Sequence, residues 1–363
     1  MRKTRILVTG GAGFIGSAFA REQLENALAD RLVVVDALTY AGTRERLNNI
    51  ANPDALRFVH GDCSDQSLLD SLLINEQIDI VVHFAAHTHV DRSISGCHER
   101  SHSNIHGTYG VLESLRRYHE THQRWIRLHH ISTDEVYGSL PDSAATPDFP
   151  YRPSSPYSAT KAGSDHLVHA YTQTFGLPAT ISHCTNNYGP FQHPEKLIPH
   201  VISCLLSGQS IPVYGDGLQQ RDWLHVADHV EALSMIVHHN PDEAVHHISA
   251  QTSRNNIDVI RLICDLLDEY PDKDFLTIHH PRSYPAIGRS CHEAITFVKD
   301  RPGHDRRYAL MPTQELESWG FRCRIPLEAG LRDTLNWYIQ NGIWWKTVMD
   351  NSRSESITNK PNS

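Results

Sequence analysis

Through the first half of the chain, apolar runs of strand length alternate with longer stretches of helical character, and that alternation leaves few folds open. The runs are Ile6 to Val8, Leu32 to Val35, Leu56 to Val59, Ile78 to Phe84, Trp125 to Ser132 and Ala179 to Cys184. Between them the pattern predicts helices from about Phe14 to Ala27, near 100–119 and over 156–175. A strand apolar along most of its length needs cover on both faces, and intervening helices supply it. Such alternation is the signature of βαβ units and a parallel sheet. The expected fold is therefore α/β, a Rossmann-type doubly wound parallel sheet. After about residue 186 the rhythm weakens. A helix near 195–207, a strand from Ile211 to Tyr214 and a helix near 256–269 predict a smaller C-terminal α/β lobe. The expected division is 1–186 for the first domain, with 222–250 returning to it, and 187–221 plus 251–345 for the lobe. Pro281 to Glu293 reads as a loop. The polar stretch 350–363 reads as a disordered tail.

Glycines at 10, 13 and 16 directly follow the first strand and open the first helix. Glycines there permit a tight turn and let backbone approach a pyrophosphate, which sits on the helix N-terminus. Asp36 ends the second strand, where a carboxylate can bind a ribose 2′-hydroxyl and would repel a 2′-phosphate. NAD is thus expected over NADP. Asp62 and Cys63, after the next strand, are candidate adenine contacts, although an aspartate in that position also serves as a helix cap.

Composition narrows the partners. The 363 residues carry a formal charge of −9, which gives no global attraction to nucleic acid or to an anionic membrane. No window approaches the roughly 18 apolar residues of a membrane span. Arg2, Lys3 and Arg5 ahead of a mildly apolar stretch imitate a secretory signal, but the glycines interrupt it. The seven cysteines are dispersed and lack any C-x-x-C pair, as in a reduced cytoplasmic protein. Histidine is frequent at 26 residues; its scatter suits individual surface and core imidazoles, with no metal site expected. Neighbours such as His246 and His247 would point to opposite sides of a strand.

Tyr157-Ser158-Ala159-Thr160-Lys161 places a phenol and an ammonium one helical turn apart. The ammonium stabilises phenolate, so the tyrosine can act as a base near neutrality. With the glycine turn, Asp36 and the hydroxyl-bearing Ser132-Thr133, this set resembles the extended short-chain dehydrogenase/reductase family. The resemblance implies a tyrosine that removes a hydroxyl proton while NAD takes a hydride. Two successive carboxylates, Asp134 and Glu135, follow Thr133, and they imply one proton removed and another donated.

The run His130 to Gly138 resembles that of the dTDP-glucose 4,6-dehydratases, nucleotide-sugar dehydratases of that family, and the likeness covers nearly the whole chain. Further matching stretches are Asp36 to Gly42, His89 to Ile94, Asn186 to Pro190, Pro194 to Pro199, Arg221 to Trp223 and Asp300 to Tyr308. The likeness implies Thr133, Asp134, Glu135, Tyr157 and Lys161 as the catalytic set. Around NAD it implies Gly10, Gly13, Phe14, Ile15, Gly16, Asp36, Leu38, Thr39, Gly42, Asp62, Cys63, Phe84, Ala85, Ala86, Ser103 and Asn187, with Tyr157 and Lys161. Around the nucleotide-sugar it implies Thr88, Thr133, Asn186, Lys196, Leu197, Pro212, Tyr214, Arg221, Asn256 and His304. Arg221 would pair with the pyrophosphate, and a homodimer would form through helices near 100–119 and 156–175.

The match departs in three places. His87 replaces the family's glutamate or glutamine and either titrates near the sugar or packs. Ala145-Thr146-Pro147 stands where relatives carry Phe-Thr-Glu, and 281–294 resembles an insertion near the nucleotide. Substrate identity stays open between dTDP- and UDP-linked hexoses, including N-acetylated ones. A 4-epimerase and an NAD-binding regulatory protein without turnover are the competing readings; Asp134 and Glu135 oppose both.

Overall fold

The computed structural model describes residues 4–88, 102–140, 142–239, 241 and 244–358. Packing gathers the chain into two compact units, one of 1–185, 226–249 and 308–322, the other of 186–225, 250–307 and 323–363. The stretch His89 to Ile94, Cys97 and residues 359–363 lie outside the described residues.

The first unit is built on a seven-stranded sheet. Its strands are β1 (Thr4–Thr9), β2 (Ala29–Asp36), β3 (Leu56–His60), β4 (Ile80–His83), β5 (Arg127–Thr133), β6 (Ala179–Cys184) and β10 (Val245–Ile248). They run in the order β10-β6-β5-β4-β1-β2-β3, and every pair is parallel. Ile6, Leu7, Val8, Val33 and Val34 have no exposed surface, as continuous apolar strands covered on both faces require. Strand order reverses at β1, between β2 and β4, and the carboxyl ends at such a point form the ligand crevice of doubly wound sheets.

The helices of this unit are α1 (Phe14–Glu25), α2 (Gln66–Asn75), α3 (Gly107–His122), α4 (Pro156–Phe175), α6 (Val226–His238) and α9 (Gln314–Ser318). Helix α1 ends before the expected Ala27 because Ala27 turns left-handed, at φ 51°. Helix α3 is preceded by a single π-helical turn, His102–His106.

The second unit contains β7 (Asn186–Tyr188), β9 (Gln220–His225) and β11 (Ser253–Asn255) in one sheet, and β8 (Ile211–Tyr214) paired with β12 (Ile295–Val298). Around them lie α5 (Leu197–Ser207), α7 (Asn256–Asp268), α8 (Lys273–His279), α10 (Leu327–Gln340) and α11 (Gly342–Thr358). Val201, Leu205, Ile260, Ile263, Leu331 and Leu335 meet in its core.

Three boundaries differ from the sequence reading. The return to the first unit begins at 226, not 222, because residues 223–225 of β9 pair with β7 inside the second unit. Residues 308–322, expected in the lobe, pack on the first unit. There Leu310 bridges Ala145, His247 N donates to Thr313 Oγ1 (2.7 Å), and Trp319 stacks on His239. The expected disordered tail is helical to Thr358. Buried Trp345 anchors α11 by donating to Tyr338 O, and no proline or glycine interrupts the chain from there to Thr358.

The 281–293 loop is largely exposed but is tied to the second unit's core by buried Tyr284 and Cys291. The Asp268 carboxylate accepts from Ser290 Oγ (2.8 Å) and Cys291 N (2.9 Å), and Cys291 and Ala294 are fully buried. The six cysteines among the described residues are free thiols. No helix among the described residues is long and apolar enough to cross a membrane.

Candidate active site

The glycine turn leaves β1 at Thr9 with Gly10 at φ 70°. A Cβ on Gly10 would lie 2.6 Å from Ala85 N, and one on Gly16 would lie 2.4 Å from Gly10 O. Only glycine lets the turn close this tightly against the strand end and still start a helix. Helix α1 is capped by Gly13 without a side-chain bond, so the first-turn N–H groups of Phe14, Ile15 and Gly16 have no side-chain cap to accept them, the condition an anion site at a helix start needs. Asp36, 8% exposed, accepts Ala12 N on Oδ2 and Leu38 N on Oδ1, both at 2.8 Å. Burial raises its pKa and those two bonds oppose the rise. The carboxylate thus ties the glycine turn to the loop of Leu38, Thr39 and Gly42, and its remaining lone pairs suit a ribose diol.

Arg46, which the sequence reading passed over, is buried in the same region and donates to Ala12 O and Ala41 O. Asp62 accepts Ser64 N (2.7 Å) in a local turn, and the buried Cys63 thiol is pushed up to about 12 by burial. Phe84 N continues from β4 onto Thr9 O, carrying Ala85 and Ala86 past the end of β1. Ser103 stands in the π-helical turn. His87 is half-buried and stacks on Tyr40 (6.0 Å between ring centres), with its backbone N–H held by Asn104 Oδ1; Thr88 follows it.

Strand β5 delivers Thr133 to a short 3₁₀ turn, Asp134–Tyr137. Thr133 Oγ1 accepts Glu135 N and donates to Asp134 Oδ1, both at 3.3 Å. Asp134 is buried and Glu135 half-buried, so neighbouring carboxyls meet different surroundings. Helix α4 starts with a Ser155/Ser158 capping box and Pro156 in its first turn. It then places buried Tyr157 and Lys161 one turn apart. Lys161 Nζ donates to Ile131 O (2.7 Å), fastening the helix to the strand two residues before Thr133. Burial drives the Tyr157 phenol well above its ordinary pKa, and the charge of Glu135 adds to that effect. Burial lowers Lys161, opposed by Asp165 and Cys184. The expected catalytic five are therefore neighbours within one unit.

The remaining expected residues belong to the second unit. Asn186 and Asn187 lie on β7, Lys196 caps α5 ahead of Leu197, Pro212 and Tyr214 lie on β8, and Asn256 opens α7. Arg221 is buried and donates to Gln220 O (2.7 Å) and Asp305 O (2.9 Å). His304 Nδ1 meets Asp300 Oδ1 at 2.7 Å, and its ring lies edge-on to Tyr214 at 6.3 Å.

A seven-stranded parallel sheet with a glycine turn at the strand reversal, and a tyrosine–lysine pair beside adjacent carboxylates, define a Rossmann-type α/β protein equipped for proton and hydride chemistry. The family model described as GDP-mannose 4,6 dehydratase matches residues 7–334. A dTDP-glucose 4,6-dehydratase of Neisseria meningitidis serogroup B is 45% identical over 360 residues, covering 97% of each chain. The dTDP-glucose 4,6-dehydratase 1 of Escherichia coli K12 is 44% identical over 358 residues, covering 95% of each. Among solved structures, DesIV of Streptomyces venezuelae, a dTDP-glucose 4,6-dehydratase with NAD and TYD bound, superposes with a TM-score of 0.84 at 39% identity. That likeness covers 95% of this chain and 100% of DesIV. The chain belongs to this family of nucleotide-sugar 4,6-dehydratases.

Proposed function

We propose that the protein is an NAD-dependent lyase that converts dTDP-glucose to the dTDP-4-keto-6-deoxyhexose. The observation that carries this reading is the 3₁₀ turn holding Asp134 and Glu135 beside Tyr157, because oxidation and return of hydride alone would need no second acid–base pair. The glycine cradle and the uncapped start of α1 suit a pyrophosphate, and Asp36 suits an unphosphorylated ribose. NAD held there by Gly10, Gly13, Gly16 and Asp36 would supply the hydride acceptor for the sugar C4 and the hydride donor for C6.

The chain's own groups move the protons. Tyr157 takes the proton of the C4 hydroxyl while Thr133 hydrogen-bonds the same oxygen, and the Lys161 ammonium stabilises the phenolate. A ketone at C4 acidifies the C5 proton. Glu135 removes that proton, Asp134 donates one to the C6 oxygen, and water leaves. Asp134 starts protonated and Glu135 ionised, a split that unlike burial of neighbouring carboxyls favours. Protonation at C5 then completes the product.

In this reading Thr88, Asn186, Lys196, Leu197, Pro212, Tyr214, Arg221, Asn256 and His304 contact the nucleotide-sugar. The protein works as a cytoplasmic homodimer through α3 and α4, whose Tyr109 and Phe175 are exposed large apolar side chains. The identity of nearly half the residues with dTDP-glucose enzymes favours the thymidine nucleotide over UDP. The test is incubation of the purified protein with NAD and a panel of dTDP- and UDP-hexoses. A 4-keto product, read by its absorbance in alkali, is expected with dTDP-glucose. Cofactor binding with no keto product from any member of the panel would sink the proposal.

A further inference from the structure

Asp165 lies one turn beyond Lys161 on α4 and has no exposed surface. Burying an ionised carboxylate costs several kcal/mol before its partners are counted, and an apolar replacement of similar volume is often at least as stable. Its burial therefore calls for specific partners, and these show where it acts. Oδ2 accepts Ser132 Oγ at 2.8 Å and faces His183 Nε2 at 3.0 Å, while His130 Nε2 stands 3.2 Å from Oδ1. Ser132 immediately precedes Thr133. On its other side His183 Nδ1 meets Tyr137 Oη at 3.2 Å, and Tyr137 is the last residue of the catalytic turn. One buried carboxylate thus grips both ends of the segment that carries Thr133, Asp134 and Glu135.

The direction of each hydrogen bond follows from the acceptors. His247 Nδ1 faces two carbonyls, Ala145 O at 3.1 Å and Met311 O at 3.2 Å, so it carries the proton and donates. Burial keeps that imidazole neutral, so its Nε2 accepts from the Tyr137 hydroxyl at 2.7 Å. The Tyr137 oxygen also lies 3.2 Å from His183 Nδ1. His183 Nε2 donates to Asp165, since a carboxylate cannot donate. The Tyr151 hydroxyl also reaches that nitrogen, at 3.1 Å, and a buried hydrogen-bonded chain runs from the Asp165 carboxylate through His183 to Tyr137. Consistent with this pairing, the Asp165 carboxyl is held well below the usual range. Burial alone would raise it, and the neighbouring His130 and His183 overcome that.

We propose that Asp165 and His183, hydrogen-bonded to each other in the interior, are positioning residues that fix the carboxylates of the catalytic turn through Ser132 and Tyr137. They touch no reacting atom. Their effect falls on the step that needs Asp134 and Glu135 in place, the elimination, more than on C4 oxidation by Tyr157. This inference rests on the dehydratase reading, and its test separates the two.

Wild type, Asp165→Asn and Tyr137→Phe are compared as full-length protein with NAD and dTDP-glucose in single turnover. Reduced cofactor and keto product are followed separately. Asn keeps the shape of Asp165 without its charge, and Phe removes only the hydroxyl that links the turn to His183. A misplacement of about 1 Å in an acid–base group slows its step roughly 100-fold. Elimination should slow by about that factor in D165N, and by less in Y137F, with reduced cofactor accumulating because its formation is nearly unchanged. Equal slowing of both steps in both variants, or of neither, overturns the proposal. Should D165N fail to fold, Y137F gives the same division of steps. In the free protein, nitrogen NMR should show His183 Nε2 carrying a proton in a hydrogen bond that D165N alters, and a bare Nε2 would equally overturn it. Absence of keto product from wild type would defeat the dehydratase reading instead, and the NMR result would still decide the His183–Asp165 bond.

Discussion

Glu135 and Asp134 are one position apart and are assigned opposite duties, so single substitutions separate them. Glu135→Gln keeps the shape of the turn and removes the base for C5. Product formation should fall by roughly 10²–10⁴-fold, the usual weight of general base catalysis, while C4 oxidation persists. Stopped-flow absorbance would show reduced cofactor forming and then staying. The same variant has a second consequence. Glu135 is the largest charge contribution raising Tyr157, because a carboxylate beside a phenol disfavours phenolate. Removing that charge lowers the phenol pKa, so the rate of cofactor reduction in E135Q should reach half its plateau at lower pH than in wild type. A profile that does not move would separate Glu135 from the tyrosine. At this scale the site was largely legible. Tyr157, Lys161, Asp36 and the glycines declare themselves by spacing within short motifs. Asp165, Tyr137, His183 and Arg46 do not, because their roles depend on partners drawn from other strands and turns. Asp165 alone left a trace, by continuing the four-residue spacing of Tyr157 and Lys161.

Among elements, α4 carries Tyr157 and Lys161 in its first two turns, and its start is set by the Ser155/Ser158 box, in which Ser158 N donates to Ser155 Oγ (3.1 Å) and Ser155 N to Ser158 Oγ (3.0 Å). Fraying there would move Tyr157 before any other catalytic residue. Ser155→Ala should cost about 1 kcal/mol of stability, as losses of such caps do. It should also lower kcat more than that loss of folded protein explains. Urea unfolding and steady-state rates on the same sample would check it; loss of stability with unchanged kcat would detach the cap from the site. The elements of the parallel sheet were readable because each buried strand is a continuous apolar run, as in Leu32 to Val35. The segment 308–322 was not, since Leu310 and Trp319 reveal their partners, Ala145 and His239, only after the chain has returned to the first unit. Nor was α11, whose polar last turns continue a helix begun by Gly342 and anchored by Trp345.

Over the molecule as a whole, the 26 histidines read as scatter in the sequence, yet the fold gathers several in the interior of the first unit. His83, His129, His130, His229 and His247 are all buried there, and burial lowers each. His130 falls to about 4, and His229 and His247 to about 3. An unfolded chain protonates its histidines below about pH 6.5. Between that pH and the folded values the unfolded state binds protons that the folded state refuses, so stability declines as pH falls. Asp165 acts in the same sense over a lower window. Its depressed pKa contributes stability above about pH 4, which is lost as acid protonates the carboxylate. At pH 5 each such histidine costs about 2 kcal/mol, and a few of them approach the ~5–15 kcal/mol that holds a domain together. The first unit should therefore unfold near pH 5, well above the range where carboxylate protonation alone would act. Hydrogen exchange, corrected for its intrinsic pH dependence, should show amides of β4, β5, β6 and β10 losing protection on acidification before those of α5, α7 and α10. Retained protection of the first unit at pH 4, or earlier loss in the second, would mean that these imidazoles accept protons within the fold.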